Sequence, residues 1–298
     1  MEIGNPSALA HDFVEHGRSV TCPIIDVHGH WGPFGGAYLP AASEEAMINV
    51  LARTGVRLIV CSAHDAILAD PEYGNTSLRE AIARHRGLLR GYWGINPHYP
   101  QLVARAPEEL DRNPGFVGYK FLPEYHAYSL TASGYHPILE HADARALPIL
   151  VHTWGGSPYD SPQHVERVAS KYPRAVMLMG HSGYGDWDAS LRIARDYPNV
   201  YLELTAVYVA HDFAMLPAGS GTPSTLASCL QVNGVIERMV EIAGSRKVLF
   251  GTDMPWYSPH FAAGSILFAR IGEEARHDIL HRNAERIFGF EAHSTELC

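Results

Sequence analysis

The chain has 298 residues, 46% of them hydrophobic and 18% charged, with a net charge of −9 when its 18 histidines are counted as neutral. That is apolar material enough for one large core, and the acidic balance, without any Lys/Arg cluster, argues against nucleic acid and anionic membrane surfaces as partners. Four scattered cysteines with no CxxC pair, a start (MEIGNPSALAHDF) without signal-peptide character, and no apolar run of the roughly 20 residues that span a membrane point to a reduced cytoplasmic protein.

Residues 1–22 read as a polar lead-in, and 23–298 as a single domain. The stretch PIIDVHGHWGP (23–33) is an apolar, β-branched run that ends in two histidines one residue apart and is then broken by Gly and Pro. On a strand, residues two apart point the same way, so Asp26, His28 and His30 are expected to share one face. Seven further runs follow: VRLIVCSAH (56–64), LLRGYWGINP (88–97), FVGYKFLP (116–123), PILVHTW (148–154), AVMLMGHSG (175–183), NVYLELTAV (199–207) and KVLFGTDMPW (247–256). Their near-continuous apolar character suits parallel strands covered on both faces.

Helix patterns lie between them, over 43–55, 75–87, 135–146, 161–173, 186–198, 235–244 and a C-terminal pair. The first shows the logic: a Ser cap, acidic residues in the first turn, and a closing Gly55. Eight strand–helix alternations predict a (β/α)8 barrel of the TIM type. No GxGxxG follows the first strand to favour an open doubly wound sheet. The long seventh connection, about 208–230, is rich in Gly, Ser, Pro and Ala and is expected to form a loop over the barrel mouth.

A barrel of this kind carries its active site at the carboxyl ends of the strands. There the sequence puts His28 and His30 (strand 1), Lys120 (strand 4), His152 (strand 5), His181 (strand 6) and Asp253 (strand 8). Imidazoles and a carboxylate without thiolate suit a divalent metal, Zn2+ first, with Mn2+, Fe2+, Co2+ or Ni2+ as alternatives.

Taken together, IDVHGH, GYKFLP, LVHTWGG, MGHSG, FGTDMPW and the closing NAERIFGF resemble the amidohydrolase superfamily, in its amidohydrolase-related, aminocarboxymuconate-semialdehyde decarboxylase-like group. The resemblance runs from about residue 23 to 290. It implies one divalent ion held by His28, His30, His152 and Asp253, with His181 beside the metal-bound water, and homodimers or larger assemblies are common in the group. It also leaves open a binuclear site, in which a carboxylated Lys120 bridges two ions and His152 and His181 hold the second. The alternative for Lys120 is a barrel-lining ammonium paired with Asp26 or Glu203, the latter expected to be a buried hydrogen-bonding partner.

The expected chemistry is hydrolysis. A bound metal brings its water to a pKa of about 7, Asp253 takes and returns the proton, and His181 donates to the oxyanion or orients the water. The loops on the catalytic face hold no Lys or Arg and many aromatics, among them Trp31, Tyr125, Trp154 and Trp256. Trp154 is the expected ring-stacking wall. Of the extra histidines there (His64, His98, His126, His211, His260), His126 is the expected substrate contact. Without a guanidinium fork for a di- or tricarboxylate, the preferred substrate is a largely neutral or aromatic small molecule cleaved at a lactone, ester or amide bond. The alternative is a nonoxidative decarboxylase or hydratase on the same metal site, and a non-catalytic barrel is the third reading.

Overall fold

The computed structural model describes residues 7–207 and 234–290. The expected mouth loop over 208–230, with His211, lies outside them. Eight parallel strands run in sequence order: β1 (Ile24–Trp31), β2 (Val56–Ala63), β3 (Leu89–Ile95), β4 (Phe116–Phe121), β5 (Pro148–Trp154), β6 (Val176–Tyr184), β7 (Val200–Glu203) and β8 (Val248–Leu249). β8 is only two residues long, shorter than the 247–256 run suggests. The chain beyond it still closes the ring on β1. Val27 N donates to Phe250 O at 3.0 Å, Asp253 N to His28 O at 2.7 Å and His30 N to Met254 O at 2.7 Å. The fold is a (β/α)8 barrel, as expected.

The helices start and stop where local chemistry dictates. In α2 (Glu44–Thr54), Ser43 Oγ accepts from Ala46 N at 3.3 Å, Glu44 and Glu45 complement the helix dipole, and Gly55 ends the helix with φ 82°. One helix, Pro100–Arg112, is absent from the pattern-based set because Pro107 interrupts it. It forms nonetheless, burying Val103, Ala106 and Leu110 at helical spacing. The lead-in is also more than a polar tail. Its helix, α1 (Ala8–His16), is capped by Ser7 Oγ and buries Leu9, Ala10 and Phe13 against the barrel's outer layer.

Alternation along the strands separates two apolar layers. Ile24, Ile59, Val151, Met179 and Leu202 face outward into the large core under the helices. Ile25, Val27, Leu58, Val60, Tyr92, Leu150, Leu178 and Leu249 fill the barrel interior, and Phe288 and Phe290 pack against them from the C-terminal segment. Above this apolar plug, the inward positions become polar at the carboxyl ends of the strands: Ser62, Lys120, His152, Glu203 and Asp253. A plugged floor under a polar mouth puts the site at one end only.

Candidate metal centre

β1 does not run straight into the site. Relative to β2 it carries one extra residue between Asp26 and Gly29. Such a bulge reverses which side chains face inward. Ile25 and Val27 therefore fill the barrel interior, and His28 and His30 still reach the mouth, with ring centroids 5.3 Å apart. Asp26 does not share their face, which corrects the expectation from strict alternation. Its carboxyl accepts from His28 N, Thr252 N and Thr252 Oγ1, tying β1 to the segment after β8. Burial pushes its pKa up to about 8.

At the mouth the two imidazoles meet Asp253. Its Oδ1 lies 2.8 Å from His30 Nε2 and 3.4 Å from His28 Nε2. The far nitrogens of both rings are already engaged: His28 Nδ1 is 2.8 Å from Glu203 Oε2, and His30 Nδ1 is 3.2 Å from Ser62 Oγ. Both Nε2 atoms are thus presented to the same point as Asp253 Oδ1. That oxygen is buried and accepts no well-directed hydrogen bond. Three donor atoms converging without bonding one another is the arrangement a cation fits.

The protonation states agree. Burial holds His28 well below its usual pKa and lowers His30, and it also holds His152 far down and brings His181 to about 4, so all four rings are neutral and ligand-competent near pH 7. Burial acts to raise Asp253, but His28, His30 and His181 keep it well below the carboxylate range. Asp253 and His181 sit at φ 61° and 60°, a region costly for residues other than glycine. They are two of the six described non-glycine residues with positive φ.

His152 stands beside this triad. Its Nδ1 faces His181 Nε2 at 3.1 Å, and the two rings are 4.8 Å apart. Glu203 supports both halves: besides His28 Nδ1 it accepts from His181 N (3.1 Å), Thr205 N (2.7 Å) and Thr205 Oγ1. Lys120 is paired with neither Asp26 nor Glu203. Its Nζ lies 2.8 Å from His28 Nε2, so the site already draws a cationic head. Burial lowers its pKa to about 8, against the pull of Asp253, Glu203 and Asp160.

The centre opens into a cavity of about 610 Å3. Trp154, Tyr125 and Trp256 line it, together with Phe34 and Tyr257, and among the described residues Lys120 is the only lysine or arginine in the lining. Trp154 stacks on His152 (centroids 5.9 Å, 6° between planes), and Tyr125 meets His152 edge-on at 5.1 Å.

Two expected contacts are not there. Trp31 follows His30 and so faces outward, into the core. His126 Nε2 lies 2.7 Å from Ile67 O, which holds a loop and keeps the ring out of the cavity lining. His98 Nε2 contacts His126 O and His260 contacts Gly17 O and Arg53 O, away from the lining.

His64 lines the cavity instead. It stacks on His30 at 4.8 Å and 5°, its Nδ1 lies 2.7 Å from Gly32 O, and its Nε2 accepts from Trp256 Nε1 at 3.0 Å. It fixes the plane of His30. Its place at the end of the second apolar run was the only sign of this in the sequence.

The family model for amidohydrolases matches residues 25–290. The chain belongs to the amidohydrolase family. Within that family it is 24% identical over 249 residues to a gamma-resorcylate decarboxylase from Polaromonas sp. strain JS666, covering 72% of this chain and 74% of the relative. A solved dihydroxybenzoic acid decarboxylase from Polaromonas sp. JS666, holding manganese and 2-nitroresorcinol, superposes with a TM-score of 0.69 at 17% identity, over 93% of this chain and all of that one. The 5-carboxyvanillate decarboxylase of Sphingomonas paucimobilis gives a TM-score of 0.63 at 14% identity, over 90% and 99%.

These relatives are named for breaking a carbon–carbon bond, and this overturns the expectation of C–O or C–N hydrolysis. The physical error lay in reading a loop set without Lys or Arg as a pocket for neutral molecules. Lys120 rises from the barrel wall, not from a loop, and lines the cavity. A divalent metal is supported by the relatives and by the triad. The metal seen in the relative is manganese, not zinc. Among the described residues no helix is long and apolar enough to cross a membrane.

Proposed function

We propose that this amidohydrolase-family protein is a metal-dependent, nonoxidative decarboxylase of a hydroxylated aromatic carboxylic acid. The observation that carries the reading is the juxtaposition of His28, His30 and Asp253 with a single buried ammonium, Lys120, at the base of an aromatic-walled cavity. One cation and one metal centre match one carboxylate and one ring hydroxyl. The decarboxylase relatives support the same reaction class.

Loss of carbon dioxide from an arene consumes one proton: ArCO2− + H+ gives ArH + CO2. The proton adds to the ring carbon that bears the carboxylate. The carbon–carbon bond then breaks, and its electron pair restores the aromatic ring. A hydroxyl ortho or para to that carbon makes it basic enough to accept the proton, which defines the substrate class. When bound, the divalent ion would fix and polarise the substrate's oxygens. His28, His30 and Asp253 would hold it, with His152 as the further candidate ligand.

In this reading the chain's own groups do the rest. Lys120 Nζ holds a carboxylate oxygen by a charge-assisted hydrogen bond. Trp154 and Tyr125 flank the ring and exclude water. Asp253 turns one oxygen to the two histidines; it also lines the cavity, where it would take a proton from solvent and pass it to the ring carbon. His181, hydrogen-bonded between His152 and the Thr205 carbonyl, orients the pair.

The test is product analysis with Mn2+-loaded enzyme on a panel of mono- and dihydroxybenzoates, beside a panel of lactones, esters and amides. Carbon dioxide released in step with loss of the aryl acid is the expected result. Turnover confined to the second panel would overturn the reading.

A further inference from the structure

At the opposite end of the barrel, three side chains of metal-ligating type meet where the chain enters β1. Cys22 precedes the strand, and His277 and His281 lie four residues apart, flanking the start and heart of the π-helical turn Asp278–Arg282. Cys22 Sγ lies 3.6 Å from His277 Nδ1, which lies 3.1 Å from His281 Nε2. The three ligand atoms are all within 4.8 Å of one another; Cys22 and His281 are buried and His277 is half-buried. Zinc bonds of about 2.3 Å to sulfur and about 2.05 Å to nitrogen, at tetrahedral angles, set edges of about 3.6 Å (S to N) and about 3.3 Å (N to N). The Cys22–His277 and His277–His281 edges match two sides of that triangle, and the third lies within 4.8 Å.

The surroundings favour a cation as well. Glu285 Oε1 stands 3.2 Å from His281 Nδ1, on the side of the ring away from the nitrogen that faces the cluster, and adds negative charge there. The carboxylates of Glu273, Glu285 and Asp12 outnumber the single Arg282 guanidinium around the Cys22 sulfur. The Cys22 thiol also approaches Pro23 O at 3.4 Å. Burial pushes the thiol up to about 12, so the sulfur stays protonated until a cation displaces that proton.

We propose that Cys22, His277 and His281 form a second metal site, separate from the barrel-mouth centre, that takes one zinc-type divalent cation. Binding converts the Cys22 S–H to a thiolate, releases one proton to solvent and joins cation to sulfur, with no change of oxidation state. The ion would fasten the lead-in segment to the C-terminal helices. The proposal does not depend on the reaction at the mouth.

Co2+ is the probe, because only a thiolate ligand gives a near-ultraviolet sulfur-to-cobalt charge-transfer band and no cysteine is among the described residues of the mouth centre. Enzyme loaded with Mn2+ is titrated with Co2+. The band is expected to grow to saturation at one equivalent of the sulfur-bound ion per chain in the wild type and in His28→Ala. It is expected to vanish in Cys22→Ser and in His277→Gln, the second variant altering a half-buried ring so that the test does not rest on a buried substitution alone. A wild type without the band, or a band that survives in Cys22→Ser, would overturn the proposal.

Discussion

Glu203 Oε2 and His28 Nδ1 are 2.8 Å apart, both fully buried, and the same carboxylate also accepts from the His181 and Thr205 amides. One side chain of β7 therefore sets the tautomer of His28 on β1 and holds the backbone of His181 on β6. Replacing it with glutamine keeps the volume but weakens the acceptor. Metal affinity is expected to fall about 10–100-fold in Glu203→Gln, measured by chelator competition. An unchanged dissociation constant would show that His28 is oriented without it.

Gly251 packs against this same pair. A Cβ there would lie 1.9 Å from Glu203 Oε1 and 2.9 Å from the His28 Cβ, and neither neighbour has room to retreat. Gly251→Ala is expected to cost about 1–3 kcal/mol of stability or more and to lower metal occupancy with it. Urea unfolding and elemental analysis read the two effects. A variant as stable and as well metallated as the wild type would mean that the β7–β8 junction can open.

Trp154 stacks on His152 and on Tyr184, with the latter pair's centroids 4.8 Å apart at 27°. Its indole already belongs to an ordered aromatic stack, so a ring bound beside it loses little extra entropy. Trp154→Ala is expected to raise KM for the aryl acid about tenfold, corresponding to about 1.4 kcal/mol of lost stacking and burial, with a smaller effect on kcat. Trp154→Phe should recover most of the loss. Equal kcat and KM losses in both variants would place Trp154 in holding His152 and not in binding.

How much of this was legible beforehand follows from which residues obey simple periodicity. Leu150 and His152, or Tyr201 and Glu203, alternate without interruption, so an apolar run ending in a polar side chain correctly marks the barrel mouth. Asp26 defeats the same rule, whereas Trp31, one residue past the inward His30, obeys it by facing outward. The extra residue in β1 changes which side chains face inward, and a bulge leaves no trace in composition. His126 and His64 sit just past their strands, where the direction of the turn decides whether a ring faces the cavity, and no period applies there. The helix at Pro100–Arg112 was hidden by Pro107, whose penalty is outweighed by three buried apolar side chains. Charge counted in the loops alone overlooks Lys120, which stands on β4 and lines the cavity.

That cation makes the last prediction. Lys120 is fully buried, and its pKa falls from 10.5 to about 8 because burial disfavours the ammonium. Its folded pKa lies below its unfolded one, so between about 8 and 10.5 the unfolded chain binds more protons than the folded one, and stability from this group rises with pH. Below pH 8 the folded protein bears the full cost of a buried charge. Lys120→Met removes that cost, and the metal-free variant is expected to melt above the metal-free wild type at pH 7, with the gap narrowing toward pH 10. Activity should move the opposite way. Loss of a charge-assisted hydrogen bond worth about 1.5–3 kcal/mol should raise KM for the carboxylate substrate at least tenfold. Thermal melts across pH, set beside KM at pH 7, separate the two effects. A variant that is less stable at pH 7 and binds substrate normally would make Lys120 a structural partner of His28 and return the carboxylate to some other group.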